Sequence, residues 1–80
     1  MPMPSQPLTS LQLGGTATVA EIKLPSDQRS RLLEMGVLSG TTVQLVRFAP
    51  MGDPVEIKVR GYHLTLRRQD AEQILVTPCE

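Results

Sequence analysis

The chain has 80 residues, 40% of them hydrophobic and 20% charged. That suffices for one small globular domain and rules out a two-domain enzyme with a deep cleft. Eight Lys and Arg balance eight Asp and Glu, which argues against a phosphate-backbone binder, since that role wants several cations on one face.

Met1 to Pro7 holds three prolines in seven residues and reads as a disordered tail, because proline donates nothing to a ladder. The domain is expected over 8–77, with 78–80 as a second tail. Leu8 and Leu11 flank Thr9-Ser10 in a short helical turn that tucks two leucines inward. Gly14-Gly15 then precedes a Thr-, Val- and Ile-rich strand over 16–23. Ala17 and Val19 share one face of it while Ile22 falls on the other, so a bulge near Ala20-Glu21 is expected to bring all three inward.

A helix follows. Ser26 is placed to cap it, Asp27 puts negative charge in its first turn, and Gly36 stands at its end with Val37 positioned for the accompanying hydrophobic contact. Leu32 and Met35, with Leu33 beside them, make a narrow apolar stripe. At about nine residues this helix is too short to stand alone in water and must pack on something.

Gly40 leads into a strand over 42–48 with Val43 and Leu45 on one face. After the turn formers Ala49 to Pro54, Val55, Ile57 and Val59 alternate with Glu56, Lys58 and Arg60 in strict period two, the pattern of a half-buried antiparallel strand. Gly61-Tyr62 suggests a two-residue type II′ hairpin. That register sets Val59 against Leu64, Ile57 against Leu66 and Glu56 against Arg67. A single tight turn over 68–72 buries Ala71, and Ile74 and Val76 close a last strand ended by Pro78. The pattern predicts a mainly β, strongly bent antiparallel barrel of about five strands with one short helix. Its interior is aliphatic, since Phe48 and Tyr62 are the only aromatics.

Reactive equipment is scarce. One cysteine, Cys79, cannot form an internal disulfide, and one histidine, His63, falls on the outer strand face. No CxxC or HxxH spacing exists to hold zinc, which leaves only an intermolecular contact through Cys79 for a metal. Gly36 to Thr41 has the look of a phosphate loop, but the spacing is wrong and no lysine follows the second glycine. It reads as a helix stop and strand entry. No nucleophile elbow or Cys–His arrangement is present. No run of about 18 apolar residues spans a bilayer, and the first twenty lack a basic start, so a cytoplasmic location is expected.

Two features are left for binding. Between Thr41 and Gln69 five basic residues face two acidic ones, and Lys58, Arg60, His63, Arg67 and Arg68 share the outer hairpin face. That face is open to three readings: a solvated charged surface, a dock for an acidic partner, or a thin nucleic-acid patch lacking interleaved aromatics. Met51, at the tip of a proline-bounded loop, is an adaptable apolar group of the kind partners use, or simply the tip of a rigid turn.

The segments Arg31 to Gly40 and Ala49 to Pro54, followed by Leu66-Arg67, Asp70-Ala71 and Ile74, closely resemble the FeoA family of bacterial ferrous iron transport, over roughly Leu8 to Val76. The resemblance implies an SH3-like barrel and a non-enzymatic accessory protein that docks on the cytoplasmic GTPase part of the membrane transporter FeoB, cytoplasmic or peripheral at the inner membrane. Family motifs fall on Leu32, Leu33, Met35 and Gly36 and on Pro50, Gly52, Asp53 and Pro54. Thr65 departs from the pattern, where a smaller residue is commoner.

The expected partner contacts are Leu32, Leu33, Met35, Leu38, Pro50, Met51, Asp53 and Arg67. Gly36, Gly40, Gly52 and Gly61 are expected as structural turns. No cofactor, metal ligand or nucleic acid is expected, and neither Fe nor Zn finds an assembled ligand set. The alternative is a ferrous-iron sensing domain, because the same fold occurs at the C-terminus of DtxR-type repressors.

Overall fold

In the computed structural model, residues 5–79 are described. Six strands form one antiparallel sheet: β1 (Gln6–Pro7), β2 (Thr16–Ile22), β3 (Thr42–Phe48), β4 (Val55–Val59), β5 (Tyr62–Leu66) and β6 (Ile74–Pro78), in the order β1-β6-β2-β3-β4-β5. A 3₁₀ turn covers Leu8–Ser10, α1 spans Ser26–Glu34 and α2 is the single turn Arg68–Ala71.

The alternation in the sequence builds the core directly. Leu45, Val55, Ile57, Val59, Ile74 and Val76 are all fully buried, with Leu8, Val37 and Ala71 closing the ends. The expected bulge is present: the β2–β6 register shifts between Val19 and Glu21. It leaves Ala20 exposed while Val19 and Ile22 both turn inward. A second shift, between Leu45 and Arg47 on β3, adds bend to the strand next to it.

The architecture is mainly β and SH3-like, with corrections to the expected detail. Among the described residues the strand count is six, because Gln6 and Pro7 pair with Val76 and Leu75. A proline is tolerated there since β1 is an edge strand and no ladder bond is lost on its outer side. The tail expected over 1–7 therefore fails at Gln6–Pro7, while Met1 to Pro4 lies outside the described residues. The expected 78–80 tail shortens too: Pro78 pairs with Ala17, and the Cys79 N–H donates to the Thr16 carbonyl at 2.9 Å. The barrel is open, for β1 and β5 end the strand order. The 3₁₀ turn and α2 touch each other and bury Leu8 and Ala71.

The hairpin turn also differs. Arg60 (φ 51) and Gly61 (φ 87) are its central residues, a type I′ turn in which both need the left-handed region. Val59 therefore pairs with Tyr62, Ile57 with Leu64 and Val55 with Leu66. The register moves by two residues from the expected one, so every side chain keeps its face. Glu56 lies opposite Thr65 rather than Arg67.

Candidate functional site

The helix end is built by a backbone motif. Gly36 adopts φ +90, its N–H donates to the Leu33 carbonyl at 3.0 Å, and the Val37 N–H donates to the Leu32 carbonyl at 2.8 Å. This is the two-bond glycine termination, with buried Val37 and Leu32 on its apolar side. At the other end Pro25, not Ser26, occupies the N-cap position, and no side chain caps it. Ser26 is already helical, and its carbonyl accepts a bond from the Ser30 hydroxyl at 2.9 Å.

The helix end sorts the predicted contacts. Leu32 is only 4% exposed and belongs to the core, so it is not available as a direct partner contact. Its neighbour Leu33 is 51% exposed and Leu38 is 37% exposed. A Cβ on Gly36 would lie 3.0 Å from the Tyr62 hydroxyl, so the helix end sits against the start of β5.

The Ala49–Pro54 loop is pinned from within. The Ala49 N–H donates to the Pro54 carbonyl at 2.9 Å and the Gly52 N–H donates to the Ala49 carbonyl at 2.7 Å. Met51 stands at the tip, 92% exposed, and Pro50 and Asp53 are exposed beside it. Asp53 also has a role the sequence does not show: its Oδ1 accepts the Arg68 N–H at 3.1 Å, capping α2 from a distant loop. The Arg68 guanidinium lies 5.5 Å over the Phe48 ring. Thus the loop abuts the segment that follows β5.

A groove of about 320 Å³ is flanked by α1 on one side and by the end of β5 and α2 on the other. Leu32 and Met35 line it with Leu66, and Arg31, Arg67 and Asp70 also border it. It brings together Met35, Leu32 and Arg67 of the predicted set. Leu38 instead borders a wider depression of about 620 Å³ beside Lys58 and Arg60, and Pro50 and Met51 border neither. Sequence reasoning missed Arg31 and Tyr62; the true hairpin register is the signal that points to Tyr62.

The outer face carries a three-strand charge chain. Glu56 accepts the Arg47 Nε–H at 2.9 Å and lies 2.6 Å from His63 Nδ1. The His63 bond first, and the Arg47 bond second, hold the Glu56 carboxyl below its ordinary range. Among the described residues no group of three His, Cys, Asp or Glu is arranged to hold a metal ion. Also among them, no helix is long and apolar enough to cross a membrane. Cys79 is exposed, its sulfur 3.8 Å from the Thr18 hydroxyl.

Comparison with known proteins identifies the family. The FeoA domain family matches residues 6–78. An Fe(2+) transport protein A/Fe(2+) transporter FeoB fusion protein of Porphyromonas gingivalis is 38% identical over 69 residues, which is 86% of this chain and 8% of that relative's length. The solution structure of the FeoA protein from Chlorobium tepidum superposes with a TM-score of 0.90 at 36% identity, over 94% of this chain and 71% of that one. A manganese-dependent transcriptional repressor superposes at 0.86 but is 18% identical, over 95% of this chain and 37% of that one, a likeness of fold alone.

Proposed function

The chain belongs to the FeoA domain family, and from that premise we propose that it is a non-enzymatic adaptor of ferrous iron uptake. It docks on the cytoplasmic GTPase part of a FeoB-type transporter and alters nucleotide turnover or assembly there. The carrying observation is the relative in which the matching domain and FeoB are one polypeptide, since fused domains commonly act on each other. Geometry adds a surface suited to gripping: Leu33, Leu38 and Met51 are large apolar side chains left exposed, the kind of group that partner interfaces cover. In this reading the protein works in the cytoplasm, held at the membrane through its partner.

The test is co-purification with the cytoplasmic part of FeoB, with and without a GTP analogue. Met51→Asp is expected to weaken capture by about tenfold, the range of a well-placed apolar contact, with the thermal melt unchanged. Wild-type affinity in that variant removes the loop from the interface, and failure of the wild type to bind removes the adaptor role.

A further inference from the structure

Strand β5 ends the sheet and pairs with β4 alone. Its two-residue turn makes Val59 and Tyr62 the closing hydrogen-bonded pair. Bonded pairs then recur at Leu64 and Leu66, and the N–H and C=O groups of His63 and Thr65 point away from β4. Both residues are exposed. Proteins usually blunt such an edge with a proline, a bulge or a lysine. Tyr62-His63-Leu64-Thr65-Leu66 carries none of these.

Bordering the end of this strand is the groove closed on its far side by α1, with Leu32, Met35 and Leu66 contributing its apolar lining. Arg31 and Arg67 border it, both exposed, and neither makes an ion pair within 4.0 Å among the described residues. The single carboxylate in the lining is Asp70, itself half-buried. Open backbone donors and acceptors, an apolar lining and two unpaired guanidinium groups thus adjoin one another.

We infer that this edge and groove take an acidic, extended peptide segment of a partner as an added strand beside β5. The inference rests on the adaptor reading and names the chemistry of what the adaptor holds. An extended chain, unlike a helix, presents outward backbone groups at alternate residues, which is the spacing His63 and Thr65 offer. Its side chains alternate faces, so aliphatic residues settle over Leu32, Met35 and Leu66 while the intervening carboxylates reach the guanidinium fork of Arg67, which follows inward-facing Leu66. Arg31 at the groove's rim attracts the acidic segment as a whole. Strand β5 itself runs between the two exposed regions, for it begins beside Gly36 and is followed by Arg68 beside the Asp53 loop.

The test titrates the full chain with a capped peptide alternating glutamate and valine, and with its lysine–valine counterpart, read by NMR amide exchange. The glutamate peptide is expected to slow exchange at His63 and Thr65, with the lysine peptide at least about tenfold weaker because like charges repel at the rim. Thr65→Pro deletes an outward N–H without touching the β4 ladder and is expected to abolish binding. Should that variant not fold, Arg67→Glu is expected to weaken the glutamate peptide by about tenfold or more. Equal binding of both peptides, or protection confined to other amides, overturns the inference. So does concentration-dependent protection without peptide, which assigns the edge to a second copy of the chain. Protein that captures FeoB yet ignores the glutamate peptide overturns the strand proposal and leaves the adaptor standing; protein that takes the peptide and not FeoB does the reverse.

Discussion

Strands β4 and β5 are joined by two residues, alternate alike and contribute to the same core, yet they end in different circumstances. Val55, Ile57 and Val59 of β4 are all fully buried, because β3 and β5 bracket that strand. β5 has a neighbour on one side only; Tyr62 is 43% exposed and Leu66 is 7% exposed. The difference lies in place, not composition. A strand bonded on both sides spends its polar backbone within the sheet and its apolar face in the core, so it carries stability. One bonded on a single side keeps a row of donors and acceptors for something else.

The largest test of that contrast removes side-chain volume from each strand. Ile57→Ala is expected to cost about 2–5 kcal/mol, since the side chain is fully buried and its removal leaves a cavity among core neighbours. In a domain of this size each 1 kcal/mol lowers the melting midpoint by about 4–8 °C. Leu64→Ala, at the half-buried position opposite it, is expected to cost clearly less. Equal losses in two chemical denaturation curves break the distinction. Next in size is Gly36→Ala. A left-handed φ of +90 penalises any Cβ by roughly 1–2 kcal/mol, and this one also presses on the Tyr62 hydroxyl. A melt indistinguishable from wild type would mean that the helix end is not anchored to β5.

Sequence periodicity reports faces well and partners poorly. The Ala20 bulge was legible because Val19 and Ile22 are both aliphatic at a spacing no regular strand can bury on one face. The hairpin register was not. Gly61 suits the first position of one turn type and the second of another, and a slip of two residues leaves every aliphatic side chain facing inward. The Gln6–Pro7 strand is not legible because proline breaks a ladder everywhere except at an edge, and only the tertiary strand order makes β1 an edge. At the site, exposure of Met51 could be read from its flanking turn formers. Leu32 and Leu33 could not be told apart, since the roll of α1 on the sheet decides which faces in. Arg31 and Arg67 border one groove only through that same packing.

Asp53→Ala is expected to cost about 1 kcal/mol, the usual worth of a helix N-cap oxygen, because Oδ1 is the acceptor for the Arg68 N–H. Asp53→Asn keeps an oxygen there and is expected to recover most of the loss in a thermal melt. This separates two roles the exposed loop position confounds. If Asp53→Asn melts normally but binds FeoB weakly, the charge itself belongs to docking. If Asp53→Ala melts like wild type, α2 is held by its packing and the edge beyond β5 needs no cap.

The smallest expected effect is a pH dependence on the outer face, where side chains link β3, β4 and β5 in addition to their backbone ladders. Bonds from His63 and Arg47 favour the ionised Glu56 carboxylate, so its folded pKa lies below its unfolded one. Such a group adds stability above the unfolded value and loses it as pH falls through the folded one. Comparing melts of wild type and Glu56→Gln should therefore show wild type higher at neutral pH and the gap closing on acidification. The carboxylate is solvent-facing, so salt should narrow the gap as well. A gap constant from neutral to acid pH would mean the chain of contacts from Arg47 through Glu56 to His63 does not restrain β5. The open edge would then be held in register by its backbone ladder with β4 and by the packing of Leu64 and Leu66.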